Sequence, residues 1–560
     1  MWQQQNLCFC FVERRCRCLA NNASCWPNAG TWQRFNESVD GLLLLPKPSA
    51  AVCDGKTYDA KACAVAKAQW SNSSWRSDQV GAMQNHNWEN SSCSVYADGS
   101  KCNQGSVPVF AVNAILPEHV QTTVRFAAEN NLRLVIKTTG HDYLGRSGAA
   151  GSLLLWLHHM KNLTLIQQYS ACDGTKITNA ARLGAGVQWA EVYKWLDAFN
   201  LTAVGGAAGT VSAVGGYLQG GGHSPLSRFK GLAVDQVLEY DVVMANGERQ
   251  TVSACQHSDL FWALSGGGGG TYAIVLSAVV RTFSTPYMVG VTYEINAPNN
   301  DRYLRLLQSF IQWLPTLADS GWAGYFSMAD MKLSGIFQIP NGDLTTVNGT
   351  LIQFATNNPD LDFSKTNLFA LPSFYAFSAN VFGLGDPTGF HVLISSRLIP
   401  DSNVRNDPNK VAQVFFEAKG ESSTGSNLIG SLVAGGQVSN VSIANNSVNP
   451  GWRTALLHMM YAQGWLDSTS EADRKYLTEE VTRKGQILSK LSIQTSPTCY
   501  VNEADPNEIN WQEIFFGSRA MYDKLKSIKN KVDPDGLFVC KNCVGSDDWT
   551  ADLNCPKTSN

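Results

Sequence analysis

From about Val107 onward, apolar positions fall into short β-branched runs alternating with stretches of helical period, whereas the first hundred residues show little periodicity of either kind. Val109 to Leu116 reads as a strand, Pro117 opens a helix to about Asn130, and Leu132 to Lys137 reads as a second, buried strand. Leu153 to Leu157 is a further strand. Gly184-Ala185-Gly186 precede a helix from Val187 to Phe199 that places Trp189, Val192, Trp195 and Leu196 on one face. Val237 to Met244 and the run around Thr251 form a hairpin closed by Asn246-Gly247, and Tyr272 to Val279 is strand-like. Further along, Tyr303 to Leu317 is an amphipathic helix, a β-rich middle runs from about Trp322 to Ile399, Glu471 to Leu491 is a polar-faced helix, and a last helix spans Trp511 to Lys529. The pattern divides the chain into an arm with a few short helices around Ala60 to Trp70 (1–103), an α+β module (104–284), a second domain (285–495) and a closing segment (496–560).

Composition narrows the class. A chain of 560 residues exceeds the usual single-domain size, and 44% hydrophobic residues provide core for two substantial domains. A net charge of −3 gives no reason to expect nucleic acid, and no apolar run reaches the roughly 18–20 residues that cross a bilayer. Twelve of the fifteen cysteines crowd the first hundred or so residues and the last twenty-five, a distribution that reads as disulfides pinning the termini, with the odd total leaving at least one thiol unpaired. Cys540-x-x-Cys543 reads as one such disulfide or as half of a zinc site. Lacking a second ligand pair at finger spacing, it is taken as a disulfide, and no metal centre is expected. Asn-x-Ser/Thr sequons at Asn22, Asn36, Asn72, Asn90, Asn162, Asn200, Asn348, Asn440 and Asn445 point with the cysteines to a secretory pathway. Against this, Met1 to Cys18 offers only Leu7 to Val12 as an apolar core before Glu13-Arg14-Arg15, shorter than the roughly 7–15 residues of a leader. Either the start is displaced, or the protein stays inside with reduced thiols; secretion is the expectation.

Chemistry concentrates where the second strand runs into Lys137-Thr138-Thr139-Gly140-His141-Asp142-Tyr143-Leu144-Gly145-Arg146-Ser147. Gly140 and Gly145 let backbone amides approach a ligand, and a run of such N–H groups makes a concave anion site suited to a diphosphate. On local chemistry alone, a lone histidine beside glycines reads as a structural or surface residue ahead of a functional one. No G-x-G-x-x-G opens a helix after a strand, so a Rossmann fingerprint is excluded. The tract Gly266 to Gly270 reads as a hinge or, from its place between Trp262 and the strand-like Tyr272 to Val279, as a close backbone approach to a ligand.

The loop resembles the flavin-attachment loop of vanillyl-alcohol-oxidase (VAO)-type, PCMH-type flavoproteins, in particular the berberine-bridge-enzyme-like branch and its secreted fungal members. Three more blocks match in order: Gly215-Gly216-Tyr217-Leu218-Gln219-Gly220-Gly221-Gly222-His223; Asp259 to Leu264 running through Ser265 and the glycine tract into Thr271-Tyr272-Ala273-Ile274-Val275; and Tyr500-Val501-Asn502-Glu503-Ala504-Asp505 followed by Lys531-Val532-Asp533-Pro534-Asp535. The resemblance implies a two-part PCMH-type FAD-binding domain, a substrate domain whose antiparallel sheet backed by helices roofs the flavin ring, and a closing segment that returns to the first domain. It also implies FAD joined covalently through a ring nitrogen of His141. Some relatives add a cysteinyl link; Gly209 stands at that position here, so a single link is expected. Thr138, Thr139, Gly140, Tyr143, Gly145 and Ser147 are the implied diphosphate-side contacts, with Gly215, Gly216, Gly221, His223 and Ile274 nearer the rest of the cofactor. Asn502 is expected to orient its loop or to hydrogen-bond the flavin.

Many relatives carry a tyrosine base where this chain has Glu503. A carboxylate desolvated against flavin and apolar walls would have a raised pKa and still act as base, which makes Glu503 the first candidate and Tyr500 the second. The implied activity is an oxidase that takes a hydride from an alcohol or a secondary-metabolite intermediate and returns the electrons to O2 as H2O2. Its partners would be a small organic substrate and O2, with neither nucleic acid nor membrane. The alternatives are a sugar or oligosaccharide oxidase and a flavin-free binding glycoprotein on the same fold.

Overall fold

The β-branched run ahead of the glycine loop forms the strand Leu134–Lys137. A computed structural model, describing residues 15–96, 102–383, 388–492 and 497–557, places it at the edge of a four-stranded sheet in the order Leu43–Leu44, Phe110–Asn113, Leu153–Trp156, Leu134–Lys137. The last three strands are parallel and the first antiparallel. Pro117 opens the crossover helix Pro117–Glu129, whose Val120, Val124 and Ala127 bury against this sheet's core.

A five-stranded antiparallel sheet follows, ordered Leu163–Ser170, Lys176–Gly184, Ile274–Arg281, Val237–Val243, Arg249–Ser253. The Asn246-Gly247 hairpin is present, with Gly247 at φ +78°. The Leu163–Ser170 hairpin went unread because its strand carries Gln167, Gln168 and Ser170 on a largely solvated edge, so apolar alternation is weak. The helix read from Val187 is Trp189–Asp197, and its buried face uses Tyr193 where Trp195 was expected.

Seven antiparallel strands form the third layer, in the order Thr366–Leu371, Met288–Asn296, Lys332–Pro340, Ala323–Ala329, Ser426–Leu432, Ala455–Trp465, His391–Pro400. The helices Asn300–Asp319, Pro408–Ala418 and Glu471–Ser489 share a core with this sheet through Phe310, Phe337, Phe415, Leu457 and Leu488. The fold is therefore α+β, as the pattern implied. Two details differ. The β-rich middle contains the helix Leu344–Thr356. The last helix is two, Trp511–Phe516 and Arg519–Val532, broken at Gly517 (φ +88°) and restarted where Ser518 accepts a hydrogen bond from the Met521 amide.

Cys16–Cys555 ties the two ends of the described chain together, and Cys540–Cys543 is a disulfide. Cys18–Cys25, Cys53–Cys63, Cys93–Cys102 and Cys172–Cys255 are also bonded, leaving Cys499 as a buried free thiol. Cys8, Cys10, the Leu7 to Val12 segment and the boundary near 495 lie outside the described residues. No described helix is long and apolar enough to cross a membrane.

Candidate active site

Where Leu134–Lys137 ends, the arm takes hold of the chain. The buried Lys137 ammonium donates to the carbonyls of Gln79 (3.0 Å), Val80 (2.7 Å) and Ala82 (2.8 Å), while burial pushes its pKa down to about 7. Gln84 donates from its side chain to Thr139 O (3.1 Å) and from its backbone to Gly140 O (3.0 Å). Gly140 sits at φ +80°, where a side chain would be strained and its Cβ would press on Ala82 O at 3.3 Å. The arm, which looked irregular in sequence, thus sets the conformation of the glycine loop.

That loop walls one side of a cleft with about 1390 Å³ of space free of protein atoms, open at its mouth. Thr138, Thr139, Gly140, His141, Tyr143 and Ser147 line it, joined by Gly215, Gly216, Ile274, Tyr500, Asn502 and Glu503. Three expected residues lie off its wall. Gly145 turns its backbone against the Trp88 ring, Gly221 faces Val448 and Tyr500, and His223 pairs with Glu503.

His141 is half-buried, and its Nε2 lies 2.7 Å from Thr210 Oγ1. Nδ1 makes no hydrogen bond to any described residue. Desolvation pushes the imidazole pKa down to about 4, so at neutral pH the ring is uncharged, and Nδ1 keeps a lone pair in the tautomer in which Nε2–H donates to Thr210. Arg146 brings a guanidinium to the same wall, fixed by the carbonyls of Lys541 (3.0 Å) and Asn542 (3.2 Å). Its backbone N–H donates to the Asp142 carboxylate, whose pKa burial pushes up against the opposing pull of Arg146.

The glycine tract is a spine of close contacts. Gln219 O accepts from the amides of Gly266 (2.9 Å) and Gly268 (3.1 Å), and a Cβ on Gly269 would meet Gly216 Cα at 2.8 Å. Gly269 and Gly270 reach the cleft, as does Cys540, the cysteine of its wall, whose sulfur is committed to Cys543.

The closing segment completes the site. Asn502 Nδ2 donates to Gly216 O (2.9 Å), Tyr217 O (3.2 Å) and Tyr500 OH (2.8 Å), so its amide ties this segment to the second loop. Tyr500 OH also accepts from the Gly222 amide (3.1 Å). Burial, with the Glu503 charge adding to it, drives the Tyr500 pKa up, leaving a neutral phenol at physiological pH. Glu503 departs from its expected setting. Its Oε1 lies 3.2 Å from His223 Nε2 and its Oε2 3.5 Å from His458 Nδ1, and His223 Nδ1 faces Tyr325 OH at 3.4 Å. Burial pushes the carboxyl up, but the charge and hydrogen bond of His223 together with His458 outweigh it, and the net shift is downward. The raised pKa expected from apolar walls is therefore corrected, because the walls carry imidazoles.

Arg146 and Asp142 were missed although both stand inside the quoted loop, where charge in a glycine-rich anion site was the available signal. His458 and Tyr325 come from strands of the seven-stranded sheet and have no local signature.

The family model described as an FAD binding domain matches residues 110–253, and the one described as berberine and berberine like matches residues 499–544. An uncharacterized FAD-linked oxidoreductase of Arthroderma benhamiae is 37% identical over 567 residues, covering 96% of this chain and 95% of that protein. The crystal structure of the VAO-type flavoprotein MtVAO615 from Myceliophthora thermophila superposes with a TM-score of 0.89 at 32% identity, covering 97% and 100% of the two chains. A glucooligosaccharide oxidase from Acremonium strictum, whose FAD is described as 6-S-cysteinyl and 8α-N1-histidyl, shares the fold at 20% identity and a TM-score of 0.66, over 78% and 91%.

The cleft's own atoms fit an FAD. Gln219 Oε1 is buried on its wall with no hydrogen-bond partner among the described residues, and the Gly216 Cα faces open space that a Cβ would enter. With both ends of the module matched and full-length identity above 30%, the chain belongs to the berberine-bridge-like, VAO-type FAD-linked oxidoreductases.

Proposed function

We propose that this oxidoreductase is an oxidase for an organic alcohol or a secondary-metabolite intermediate, with FAD carried on His141 by one covalent link and O2 as the electron acceptor. When bound, FAD would take the two electrons and the hydrogen of the substrate C–H bond and pass them to O2, giving H2O2. The observation that carries the reading is Glu503, a carboxylate on the cleft wall that its imidazole neighbours keep ionised at neutral pH. It would accept the hydroxyl proton as the C–H bond breaks. His223, 3.2 Å away, would share that proton, and Tyr325 OH, 3.4 Å from its other nitrogen, would hold the ring in place. Tyr500, neutral and held by Gly222 and Asn502, would serve as a hydrogen-bond donor; its phenol keeps its proton at physiological pH and so has no phenolate to act as base.

Two features support a single link. Nδ1 of His141 is uncharged and unengaged, and Cys540 on the wall is already in a disulfide. Thr138, Thr139, Gly140, Tyr143, Ser147 and Arg146 would hold the diphosphate through amides, hydroxyls and one guanidinium. The disulfides, and the exposure of every sequon asparagine but the half-buried Asn36, support an oxidising secretory compartment.

The test is an absorbance spectrum of the purified protein followed by acid precipitation, with His141→Ala as control. Yellow colour staying in the parent pellet, and released or absent in the control, is the expected result and leads to a peroxide screen of alcohols beside oligosaccharides. Colour released from the parent would overturn the covalent link. Peroxide from oligosaccharides alone would overturn the substrate class.

A further inference from the structure

We propose that His86, His391 and Asp467 form a binding site for a divalent transition-metal ion, Zn2+ being the ion of choice, where the N-terminal arm covers the edge of the seven-stranded sheet. The edge strand His391–Pro400 is met by the arm through His86 N–H to Phe390 O (3.0 Å), Val392 N–H to Asn87 Oδ1 (3.1 Å) and Gly389 N–H to Gln84 O (2.8 Å). This brings two histidines and a carboxylate together from three remote stretches of chain, which no sequence spacing could announce.

One ligand atom from each of the three side chains lies within 4.8 Å of the others. His391 Nε2 is 2.7 Å and His86 Nδ1 3.7 Å from Asp467 Oδ1. Tetrahedral zinc with bonds of about 2.0–2.1 Å spaces its ligand atoms roughly 3.3 Å apart, and both separations from Asp467 Oδ1 lie within about an ångström of that spacing. A second, independent observation points the same way. His86 is only 4% exposed, yet neither ring nitrogen has a hydrogen-bond partner among the described residues. Buried polar atoms are rarely left so without a water or ion.

The outer groups are also arranged for a metal. His86 Nε2 lies 3.8 Å from Glu89 Oε2, an oxygen that has no hydrogen bond of its own, while Glu89 Oε1 is held by Arg76 at 2.6 Å. A carboxylate behind the far nitrogen of a ligating histidine fixes its tautomer and strengthens it as a donor. His391 is stacked on Trp465 (5.4 Å, 5°), Trp70 packs edge-on against His86 (5.1 Å), and Ser94 Oγ donates to the second Asp467 oxygen. Two imidazoles and one carboxylate suit Zn2+ better than Mg2+ or Ca2+, which take oxygen ligands. The side chains of His391 and Asp467 are 15% and 35% exposed, leaving room for a water as fourth ligand. Bound there, the ion would clamp the roof sheet to the arm that sets the His141 loop.

The test uses the flavin-loaded protein stripped with EDTA, freed of chelator and titrated with ZnSO4, with metal content by mass spectrometry and thermal midpoint as readouts. One equivalent of zinc per chain with a raised midpoint is expected. Asp467→Asn, nearly isosteric and at a partly exposed position, and His391→Gln should each weaken binding at least tenfold. His458→Gln, in the other histidine cluster, should leave it unchanged. Absence of stoichiometric uptake would overturn the proposal, and so would uptake that Asp467→Asn leaves intact.

Discussion

Gly220→Ala isolates the joint between the second flavin loop and the closing segment. Gly220 has φ −98°, which alanine adopts freely, so the substitution adds no backbone strain. Its new Cβ would stand 2.6 Å from Asn502 Cγ, and the amide must move. Moving it breaks the bonds of Nδ2 to Gly216 O, Tyr217 O and Tyr500 OH, at 2.9, 3.2 and 2.8 Å. Neutral hydrogen bonds are worth about 1 kcal/mol each, and overpacking costs about 1–3 kcal/mol, so with three bonds lost a destabilisation of about 4–6 kcal/mol is expected. Denaturant midpoints should be compared for the parent, Gly220→Ala, Asn502→Ala and the double variant. Asn502→Ala gives up the same bonds but opens the space, so adding Gly220→Ala to it should cost less than about 0.5 kcal/mol more. Additive losses in the double variant, or a neutral Gly220→Ala, would refute the reasoning.

Glu503→Gln should lower kcat by roughly 10²–10⁴ with little change in KM, and since the histidines hold Glu503 below its ordinary 4.5, the acid limb of the parent's rate profile should lie below that pH and vanish in the variant. Burial holds His458 at about 4 against an ordinary 6.5, so the unfolded chain takes up a proton first; stability should fall as pH drops from 6.5 to 4, by about 3 kcal/mol for this group. Denaturant midpoints across that range should show a shallower slope for His458→Gln, and an unchanged slope would contradict the assignment. Arg76→Met strands the fully buried Glu89 carboxylate and should cost about 3–5 kcal/mol, recovered in large part by Arg76→Met/Glu89→Leu. Thermal midpoints equal to the parent's in the single variant would show that the pair contributes nothing.

Local order was legible. Lys137 ends a strand because Leu134, Val135 and Ile136 precede it, Pro117 starts a helix because its missing N–H is no loss there, and Asn246-Gly247 closes a hairpin because glycine accepts positive φ. Most of the loop from Thr138 to Ser147 reaches the cleft from the end of a strand whose period is written in the chain, whereas Tyr500, Asn502 and Glu503 reach it from the short turn at Val501–Glu503, which carries a motif but no period. Tertiary structure alone decided the rest. His458 and Tyr325 arrive on strands of another sheet and replace the apolar wall assumed around Glu503, which reverses the direction of its pKa shift. An aperiodic arm turns out to hold the His141 loop through Lys137 and Gln84. The division has a physical cause: propensity and periodicity act over a few residues, whereas the field at a carboxylate sums over every charge and dipole that folding brings near it, however distant in sequence.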